Sequence, residues 1–430
     1  MNPGIVTESF DLFNVFDPRE ALRPGDPRYV ECGEERGSKD LLLTVARAIR
    51  LTYGNTYHLL SGQRGCGKTT ELLLLQHDLS KSKEGARFFV VYCEADSYVD
   101  LCDVEYTDVL LAIVRQLWSD LENEGIRLES GRLTGFLSEL GSFLASDVLP
   151  RDITFDAGIV KLTGEIKRSP DNRHLVRSHL RPRTTQFVEA VNEVIAEAIE
   201  LLEGKGYKGL VIIVDNLDRI LRTVVPGANR SNLEALFLDA AESLRGLGCH
   251  MVYTLPPSLH EWAGRLQNLY GTEPKVLPMI PVATRDGLRN ERGIAKLEEC
   301  VLRRLQTASL SMERGFDHAD TVRRVCEASG GFGRHLMTLV RSARSYVERP
   351  PITRESVERA IRDARFTYQL TCQSKGRWAL LREVAATHRI GFSPEQLELL
   401  GNELVFEYRD ADGPWYDVNP IVREAREFAP

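Results

Sequence analysis

The stretch GQRGCGKTT, residues 62–70, carries residue types and a spacing that suit the binding of phosphate groups. Gly62 and Gly67 bracket four residues, and Lys68 and Thr69 follow directly. Glycines let backbone N–H groups turn inward around phosphates, and a helix that begins there attracts anions with its N-terminal dipole. We expect Lys68 to reach the β- and γ-phosphates of a nucleotide and the Thr69 hydroxyl to coordinate Mg²⁺. The expected nucleotide-binding positions of the loop are Gly62, Gln63, Arg64, Gly65, Cys66, Gly67, Lys68, Thr69 and Thr70.

A second chemical feature is the apolar run GLVIIVDNLDRI, which ends in carboxylates. Asp215 lies at the end of this run, where parallel sheets place ligands, and it is the expected Mg²⁺-linked carboxylate. Many ATPases place a glutamate directly after this aspartate to orient the attacking water, but Asn216 occupies that position. The role would then fall to Asp218, to Asn216 itself, or to Glu94 at the end of the apolar run RFFVVYCEAD. The sequence therefore predicts slow hydrolysis of ATP.

Further apolar segments must complete a sheet around these residues. The run CHMVYTL places the polar Thr254 at the end of a third strand, and the helical pattern HEWAGRLQNLY that follows carries Arg265. The run KVLPMIPV, residues 275–282, is predicted as the last core strand. Because the phosphate loop lies between an apolar run and a Leu-rich helical pattern, the chain predicts an α/β fold with the parallel sheet of P-loop NTPases.

The rest of the chain divides by its patterns into further domains. Residues 290–365 show an Arg-rich helical pattern, and two alternating strands, LVFEYRD and PWYDVNP, flank the turn ADG near the C-terminus. The stretch ITFDAGIVKLTG, residues 153–164, is predicted as a strand among helices. The predicted domains are an extended N-terminal arm (1–27), a P-loop ATPase core (28–285) with an insertion (125–200), a helical lid (286–368) and a winged-helix domain (369–430).

Composition favours a cytoplasmic protein over a secreted or membrane-bound one. The 430 residues are 43% hydrophobic, enough for two or three packed domains. No apolar run approaches the roughly twenty residues of a membrane span, and the first residues lack a signal-peptide layout. The eight cysteines are scattered without a C-x-x-C pair, so we expect reduced thiols and no structural metal.

The charge distribution leaves the binding of nucleic acid open. The net charge of −7 argues against a protein that coats nucleic acid over its whole surface. Residues 165–183 carry six Lys or Arg against two acids, and the lid segment Arg303–Arg365 carries thirteen Arg against eight acids. The basic segment 165–183 suits contact with phosphates, with a partner's acidic face or with a neighbouring subunit, and it equally suits a solvated helix face. Residues 376–430 have six basic and ten acidic residues, a net of −4, which favours a protein-facing role.

Four motifs in this order resemble those of AAA+-type ATPases, nearest in style to the STAND signalling ATPases and the origin-recognition initiators. They are GQRGCGKTTEL, VIIVDNLDR, VYTLPPSL and SGGFGRHLMTLVRSA, and the resemblance covers about Arg28 to Arg365. Proteins of this class bind ATP with Mg²⁺. The resemblance implies that Thr254 ends a sensor strand and that Tyr29 and Val30 belong to an adenine pocket.

The same resemblance assigns roles to two arginines and to the C-terminal domain. Arg334, after a glycine-rich turn in the lid, matches the residue that senses the γ-phosphate. Arg265 matches the position of an arginine finger that reaches a neighbouring subunit's site, and an ordinary surface arginine is the equal alternative. The winged helix is a DNA reader in initiators and an internal clamp in STAND proteins.

Three functions are compatible with these features. The first is a slowly hydrolysing ATP-dependent switch or assembly platform, as in bacterial anti-phage defence, which works as a homo-oligomer or with a separate effector protein. The second is a DNA-binding ATPase regulator of the initiator or transposition type, which contacts nucleic acid through the basic segment 165–183 or the Arg-rich lid. The third is a binding module that holds nucleotide without turnover. The sequence shows no nuclease, protease or deaminase motif, so an effector activity would belong to another chain.

Overall fold

The computed structural model describes residues 12–81, 86–128, 131–143, 155–225, 227, 230–373 and 376–429. Up to residue 276, the strands are β1 (Tyr57–Ser61), β2 (Phe88–Glu94), β3 (Gly209–Asp215), β4 (His250–Leu255) and β5 (Lys275–Val276). The helices of this part are α1 (Leu41–Leu51), α2 (Lys68–Ser80), α3 (Ala95–Tyr98), α4 (Tyr106–Asn123), α5 (Gly131–Phe143), α6 (Phe155–Arg168), α7 (Pro170–Leu180), α8 (Thr184–Gly204), α9 (Asn232–Glu234), α10 (Ala241–Arg245) and α11 (Ala263–Tyr270). Short 3-10 turns cover Arg181–Arg183, Leu217–Arg219 and Pro257–Trp262, and a π-helical turn covers Ala235–Asp239.

The first five strands form one sheet in the order β2-β3-β4-β1-β5. The pairs β2–β3, β3–β4 and β1–β4 are parallel. Every residue of β3 is buried, which accounts for its unbroken apolar run, because a central parallel strand is covered on both faces. In this register Asp215 of β3 lies beside Glu94 of β2, at the carboxyl end of both strands. The predicted α/β fold with a parallel sheet is confirmed.

Between residues 131 and 204, the described part of the insertion forms the helices α5 to α8 and one 3-10 turn. The predicted strand over residues 153–164 is wrong, because Phe155–Arg168 form α6; the first two residues of that stretch lie outside the described residues. Ile159, Leu162 and Ile166 are buried at spacings of three and four residues. This helical periodicity outweighs the short apolar run that suggested a strand.

The C-terminal part is helical and ends in a hairpin that the sequence predicts correctly. The hairpin strands β6 and β7 pair in antiparallel fashion. The predicted core strand over residues 275–282 is wrong beyond Val276, because Pro278 and Pro281 have no N–H to donate to a sheet. The elements are α12 (Glu291–Thr307), α13 (Met312–Gly315), α14 (Ala319–Ser329), α15 (Gly333–Ser345), α16 (Arg354–Thr371), α17 (Arg377–Thr387), α18 (Pro394–Gly401), β6 (Val405–Asp410), β7 (Gly413–Val418), α19 (Pro420–Arg423) and the 3-10 turn Arg426–Phe428.

The N-terminal segment differs from the extended arm that the sequence predicts. Its first eleven residues lie outside the described part of the chain. Leu12 and Phe16 are fully buried in the hydrophobic core of the helical lid, together with Leu297 and Val340. Two apolar side chains four residues apart thus anchor this segment by burial.

The chain divides into two compact units. The first, here the loop–lid unit, comprises the described parts of Met1–Leu41, Gly62–Leu73 and Val276–Pro430. The second, here the sheet unit, comprises the described parts of Leu42–Ser61 and Leu74–Lys275. This division into two units does not test the predicted domain boundaries, which stay a prediction. Among the helices that the structure describes, none is both long enough and apolar enough to cross a bilayer.

Candidate functional site

The predicted site residues are distributed over both units. The loop–lid unit contains the phosphate loop, Tyr29, Val30 and Arg334. The sheet unit contains Glu94, Asp215, Asn216, Asp218, Thr254 and Arg265. The loop–lid unit thus contains the predicted phosphate-binding groups, and the sheet unit contains the predicted carboxylates.

The phosphate loop requires glycine at two positions where its backbone has a positive φ. Gly62 has φ +142° and Gly65 has φ +99°. A Cβ on Gly62 would lie 2.6 Å from Leu277 O, and a Cβ on Gly65 would lie 2.7 Å from the Phe332 ring. Both distances are too short for a side chain, so glycine at these positions preserves the tight turn of a phosphate-binding loop.

Lys68 begins α2, and its ammonium lies against the phosphate loop. The side chain is buried, and Nζ donates to Gly62 O at 2.6 Å and to Gln63 O at 3.0 Å. A cation held there suits the role predicted for it, because a phosphate cradled by the loop would meet its charge. Thr70, two residues further on, accepts a hydrogen bond from Leu22 N at 3.1 Å and so ties the N-terminal segment to the start of α2.

Gln63, the second residue of the phosphate loop, is bonded to the C-terminal elements. Its side chain is only 3% exposed. Nε2 donates to Leu400 O at 3.1 Å and to Val405 O at 2.8 Å, and Oε1 accepts from Glu407 N at 3.0 Å. One amide therefore satisfies three backbone groups of α18 and β6. Gln63 is expected from its sequence position to serve the nucleotide, yet its side chain links the loop to the hairpin.

A hydrophobic cluster shared by the phosphate loop and the hairpin reinforces this link. Cys66 is 1% exposed. The residues that pack with it are Leu277, Met279, Phe332, Phe406, Tyr408 and Trp415. Tyr408 and Trp415 stack with ring centroids 4.6 Å apart, and Tyr408 Oη donates to Gly330 O at 2.8 Å. The loop and the hairpin thus share one buried core.

Arg334, the predicted γ-phosphate sensor, lies beside the phosphate loop. Its backbone N donates to Gly65 O at 3.4 Å, and a Cβ on Gly65 would lie 2.8 Å from its Nε. Burial raises the pKa of Glu403, and the charges of Arg334 and the exposed Arg64 oppose that rise. The structure thus brings Arg334 to the loop, and its sensing of the γ-phosphate stays a prediction.

The two predicted adenine-pocket residues have different surroundings. Tyr29 Oη donates to Glu71 Oε1 of α2 at 3.4 Å, a long hydrogen bond. Val30 is buried in the hydrophobic core of the lid. Burial raises the pKa of Glu71. Tyr29 therefore lies next to the helix that follows the phosphate loop, and the adenine pocket stays a prediction.

Arg36 is a candidate phosphate-binding residue that the sequence analysis missed. The side chain is 9% exposed, and Nη1 donates to Pro278 O at 2.6 Å. A Cβ on Gly67 would lie 3.7 Å from Arg36 Nη2, so the guanidinium lies beside the last glycine of the loop. Guanidinium groups bind phosphate oxygens strongly. The sequence around Arg36, GEERG, contains no motif that indicates a phosphate-binding arginine.

Glu407 gives the hairpin a pH-dependent stability. Its side chain is 5% exposed, and burial raises its pKa from 4.5 to about 7. The folded state thus binds a proton on Glu407 more tightly than the unfolded state does. This tighter binding stabilises the fold fully below pH 4.5, and the stabilisation is lost as the pH rises through about 7. We expect Glu407→Gln to raise the free energy of unfolding at pH 8 by about 2–3 kcal/mol, and to change it little near pH 4.5.

Urea unfolding of wild type and Glu407→Gln at both pH values measures this difference. Glu383→Gln, at an exposed position of α17, is the matched control and should show no pH-dependent change. A Glu407→Gln variant that is less stable than wild type at pH 8 would contradict the expected sign.

In the sheet unit, three acidic side chains lie around one tyrosine at the carboxyl end of the sheet. Asp215 is 1% exposed, and Tyr92 Oη donates to its Oδ2 at 2.8 Å. Burial, followed by the charges of Asp215, Glu94 and Asp218, raises the pKa of Tyr92, so the phenol stays protonated. The structure thus brings together the three carboxylates that the sequence selects. Tyr92 was missed because it lies inside an apolar strand run.

Asn216 is held by hydrogen bonds on both sides. It has φ +69°, a left-handed conformation that asparagine tolerates better than most residues. Its backbone N donates to Asp215 Oδ1 at 2.7 Å, and Nδ2 donates to Asp96 Oδ1 at 2.7 Å. Arg219 Nη1 donates to the other Asp96 oxygen at 2.7 Å. The Asn216 amide is thus engaged with Asp96, and the choice among Asp218, Asn216 and Glu94 as the residue that orients water stays a prediction.

Thr254 and Arg265 differ in burial and in contacts. Thr254 is fully buried, and its Oγ1 accepts from Leu217 N at 2.9 Å, so the hydroxyl fixes the turn that follows Asp215. The Arg265 side chain is 53% exposed, and its Nη2 lies 3.9 Å from Asp239 Oδ1. An exposed pair at that distance contributes little to stability. The sensor and finger roles of these residues stay predictions.

Most charges of the basic segment 165–183 are paired inside the sheet unit. Arg173 and Arg177 are buried, and both bond to Asp103, at 2.8 Å and 2.7 Å. Further partners include Asp100 for Arg173, Asp108 for Arg177, the Asp96 and Ser97 carbonyls for Lys167, Glu105 for Arg181, and Glu139 for Arg183. Arg173 and Arg177 are thus engaged inside the sheet unit, whereas Lys167, Arg168, Arg181 and Arg183 are exposed, and contact of this segment with nucleic acid stays a prediction.

The carboxylates are of a chemical type that suits a magnesium ion bound together with a nucleotide. Carboxylate oxygens are ligands that Mg²⁺ prefers. Across the described ranges, no group of three or more His, Cys, Asp or Glu side chains is placed to hold a metal ion. Mg²⁺ in phosphate-transferring sites is bound by one or two carboxylates together with phosphates and waters. Asp215 and the Thr69 hydroxyl are the groups that the sequence predicts for this ion, and that assignment stays a prediction.

Comparison with known proteins gives one family match that supports the P-loop assignment. Residues 54–225 match the family described as the KAP family P-loop domain. No curated protein matches the chain. Among solved structures, the crystal structure of Cdc6p from Pyrobaculum aerophilum is similar with a TM-score of 0.39 and 14% identity, over 95% of this chain and 94% of that chain. The family match includes the phosphate loop and β1 to β3, and the chain contains a P-loop NTPase domain.

Proposed function

We propose that this P-loop NTPase is a nucleotide-operated switch that binds ATP with Mg²⁺ and hydrolyses it slowly. The observation that carries the proposal is the burial of Gln63 and Cys66, both of the phosphate loop, among C-terminal groups. Protein interiors are close-packed, so a loop that changes on binding nucleotide cannot leave this shared core unchanged. The nucleotide state of the loop is therefore coupled to the arrangement of residues 376–429.

The chemistry of the proposed ATPase follows from the same residues. Lys68 and the loop N–H groups bind the phosphates, and Asp215 with Thr69 would hold Mg²⁺, which neutralises phosphate charge when bound. Slow turnover follows because Asn216 stands where a glutamate usually orients water and is bonded to Asp96. Glu94 and Asp218 are the acids that can take over this role at a lower rate.

The output of such a switch is a surface for another protein. The net negative charge of residues 376–430 supports a protein partner over a nucleic acid. The partner is a further copy of this chain, a separate effector protein, or both, in the cytoplasm. Bacterial anti-phage defence is the setting that we propose for it. The alternative, a DNA-binding regulator, loses the support of Arg173 and Arg177 in the basic segment 165–183, because both are buried and bonded to Asp103.

Gln63→Leu is expected to loosen the hairpin in the absence of nucleotide. The change removes three hydrogen bonds and leaves the Leu400 and Val405 carbonyls and the Glu407 N–H without their side-chain partner. We expect amide hydrogen exchange in β6 to accelerate about tenfold. Gln369→Leu, which removes only an exposed bond to Glu427, is the matched control and should leave β6 exchange unchanged.

The switch itself is tested on the wild type with and without ATP and Mg²⁺. We expect ATP to change hydrogen exchange in β6 and β7 and to change the apparent mass on sizing columns, whereas ADP does so less. Phosphate release measured in parallel separates a hydrolysing switch from a binding module. ATP that binds without altering exchange in the hairpin would refute the switch while leaving nucleotide binding intact.

A further inference from the structure

Tyr92 interrupts the apolar run of β2 with a phenol that reaches the buried carboxylate of Asp215. The distance from Tyr92 Oη to Asp215 Oδ2 is 2.8 Å. The other carboxylate oxygen, Oδ1, accepts from Asn216 N at 2.7 Å. Each oxygen of the carboxylate thus has a donor in the sheet unit, and two donors on opposite oxygens restrict the plane in which the carboxylate lies.

The bond joins the ends of two neighbouring strands. Tyr92 lies beside Ile213 in the β2–β3 register, two residues before the pair of Glu94 and Asp215. Its side chain therefore reaches toward the carboxyl end of the sheet, where the acids lie. Asp218 and Glu94 are close enough for their charges to act on the same phenol. A neutral donor among three carboxylates orients one of them without adding a competing cation.

We infer that Tyr92 is a positioning residue, which holds the Asp215 carboxylate in the orientation that serves Mg²⁺-dependent ATP binding. The inference rests on the proposed function and adds a residue outside the phosphate loop and the carboxylate motif. Donors that orient metal-binding carboxylates affect metal affinity by about 10- to 100-fold. A tyrosine that only stabilised the sheet would affect folding and leave the response to Mg²⁺ unchanged.

The test compares Tyr92→Phe with a matched control, Tyr98→Phe. Tyr98 lies in α3, and its Oη donates to Gln116 Oε1 at 2.6 Å, so the control loses a comparable bond that does not involve Asp215. The affinity for a fluorescent ATP analogue is measured in EDTA and across a Mg²⁺ series. For Tyr92→Phe we expect about a tenfold rise in the half-saturating Mg²⁺ concentration, and less than about a twofold change in EDTA.

The outcomes separate this inference from the proposed function. A Tyr92→Phe variant with the wild-type Mg²⁺ response overturns the inference, and ATP-dependent changes in the hairpin would then still support the switch. An equal shift in Tyr98→Phe also overturns it, because the effect would not be specific to Asp215. If the wild type does not bind ATP, or binds it with an affinity that does not depend on Mg²⁺, both the inference and the proposed function are refuted. If Tyr92→Phe does not fold, Tyr92→Met replaces it in the same measurement.

Discussion

Lys68→Ala is expected to lower the affinity for ATP by at least about 100-fold, because a charge-assisted contact with the phosphates is lost. The variant should still fold. Lys68 Nζ gives up hydrogen bonds to the Gly62 and Gln63 carbonyls, so the melting temperature without nucleotide should fall by only about 2–8 °C. Equilibrium binding of a fluorescent ATP analogue and thermal unfolding measure the two effects separately.

Lys39→Ala is the matched control for the loss of a lysine. Its side chain is 67% exposed, lies in the same unit and pairs with Glu34 at 3.5 Å. We expect it to bind ATP like wild type. Wild-type ATP affinity in Lys68→Ala would remove the phosphate loop as the nucleotide site and, with it, the basis of the proposed switch.

Asp215→Asn is expected to lower Mg²⁺-dependent ATP hydrolysis by at least about 100-fold, while ATP binding in EDTA changes by less than about threefold. The amide keeps the size of the side chain but loses the negative charge that suits a divalent cation. Because Asp215 is 1% exposed and bonded to Tyr92, the neutral amide also avoids leaving a cavity. Phosphate release under saturating ATP measures the rate.

Glu94→Gln and Asp218→Asn then identify the residue that orients water. Substitution of the acid that orients water should lower turnover with little effect on ATP affinity. Substitution of the other acid should leave turnover unchanged. Equal turnover in Asp215→Asn and wild type would contradict the assignment of the carboxylate strand. Equal turnover in both of the other variants would return the role to Asn216, whose amide the structure shows bonded to Asp96.

The features that can be predicted from the sequence are those encoded by neighbouring residues. The phosphate loop needs glycines and a lysine at fixed spacing, and β3 needs an unbroken apolar run that ends at Asp215. Both patterns are local, so they can be recognised without knowing the fold. The hairpin of β6 and β7 was predictable for the same reason, because its alternation and its turn lie within a short stretch.

The features that the sequence does not reveal are contacts between distant residues. Gln63 and Glu407 are 344 residues apart, and nothing in either segment indicates that one amide joins them. In the sequence, Tyr92 is indistinguishable from other strand residues, and only the pairing of β2 with β3 shows that it lies near Asp215. The strand predicted over residues 153–164 failed for a related reason, since a short apolar run suits a strand or a buried helix until its packing partners are known.

The shared core of the phosphate loop and the hairpin has a consequence for the order of events during protein synthesis. A ribosome adds about 5–20 residues per second, so residue 407 follows residue 63 by roughly 17–70 seconds. During that interval the Gln63 amide and the Cys66 side chain have not yet met Val405, Phe406 or Trp415. A nascent chain can therefore build its sheet while its phosphate loop is still unpacked. The packed form of the phosphate loop therefore arises late, after the hairpin has left the ribosome.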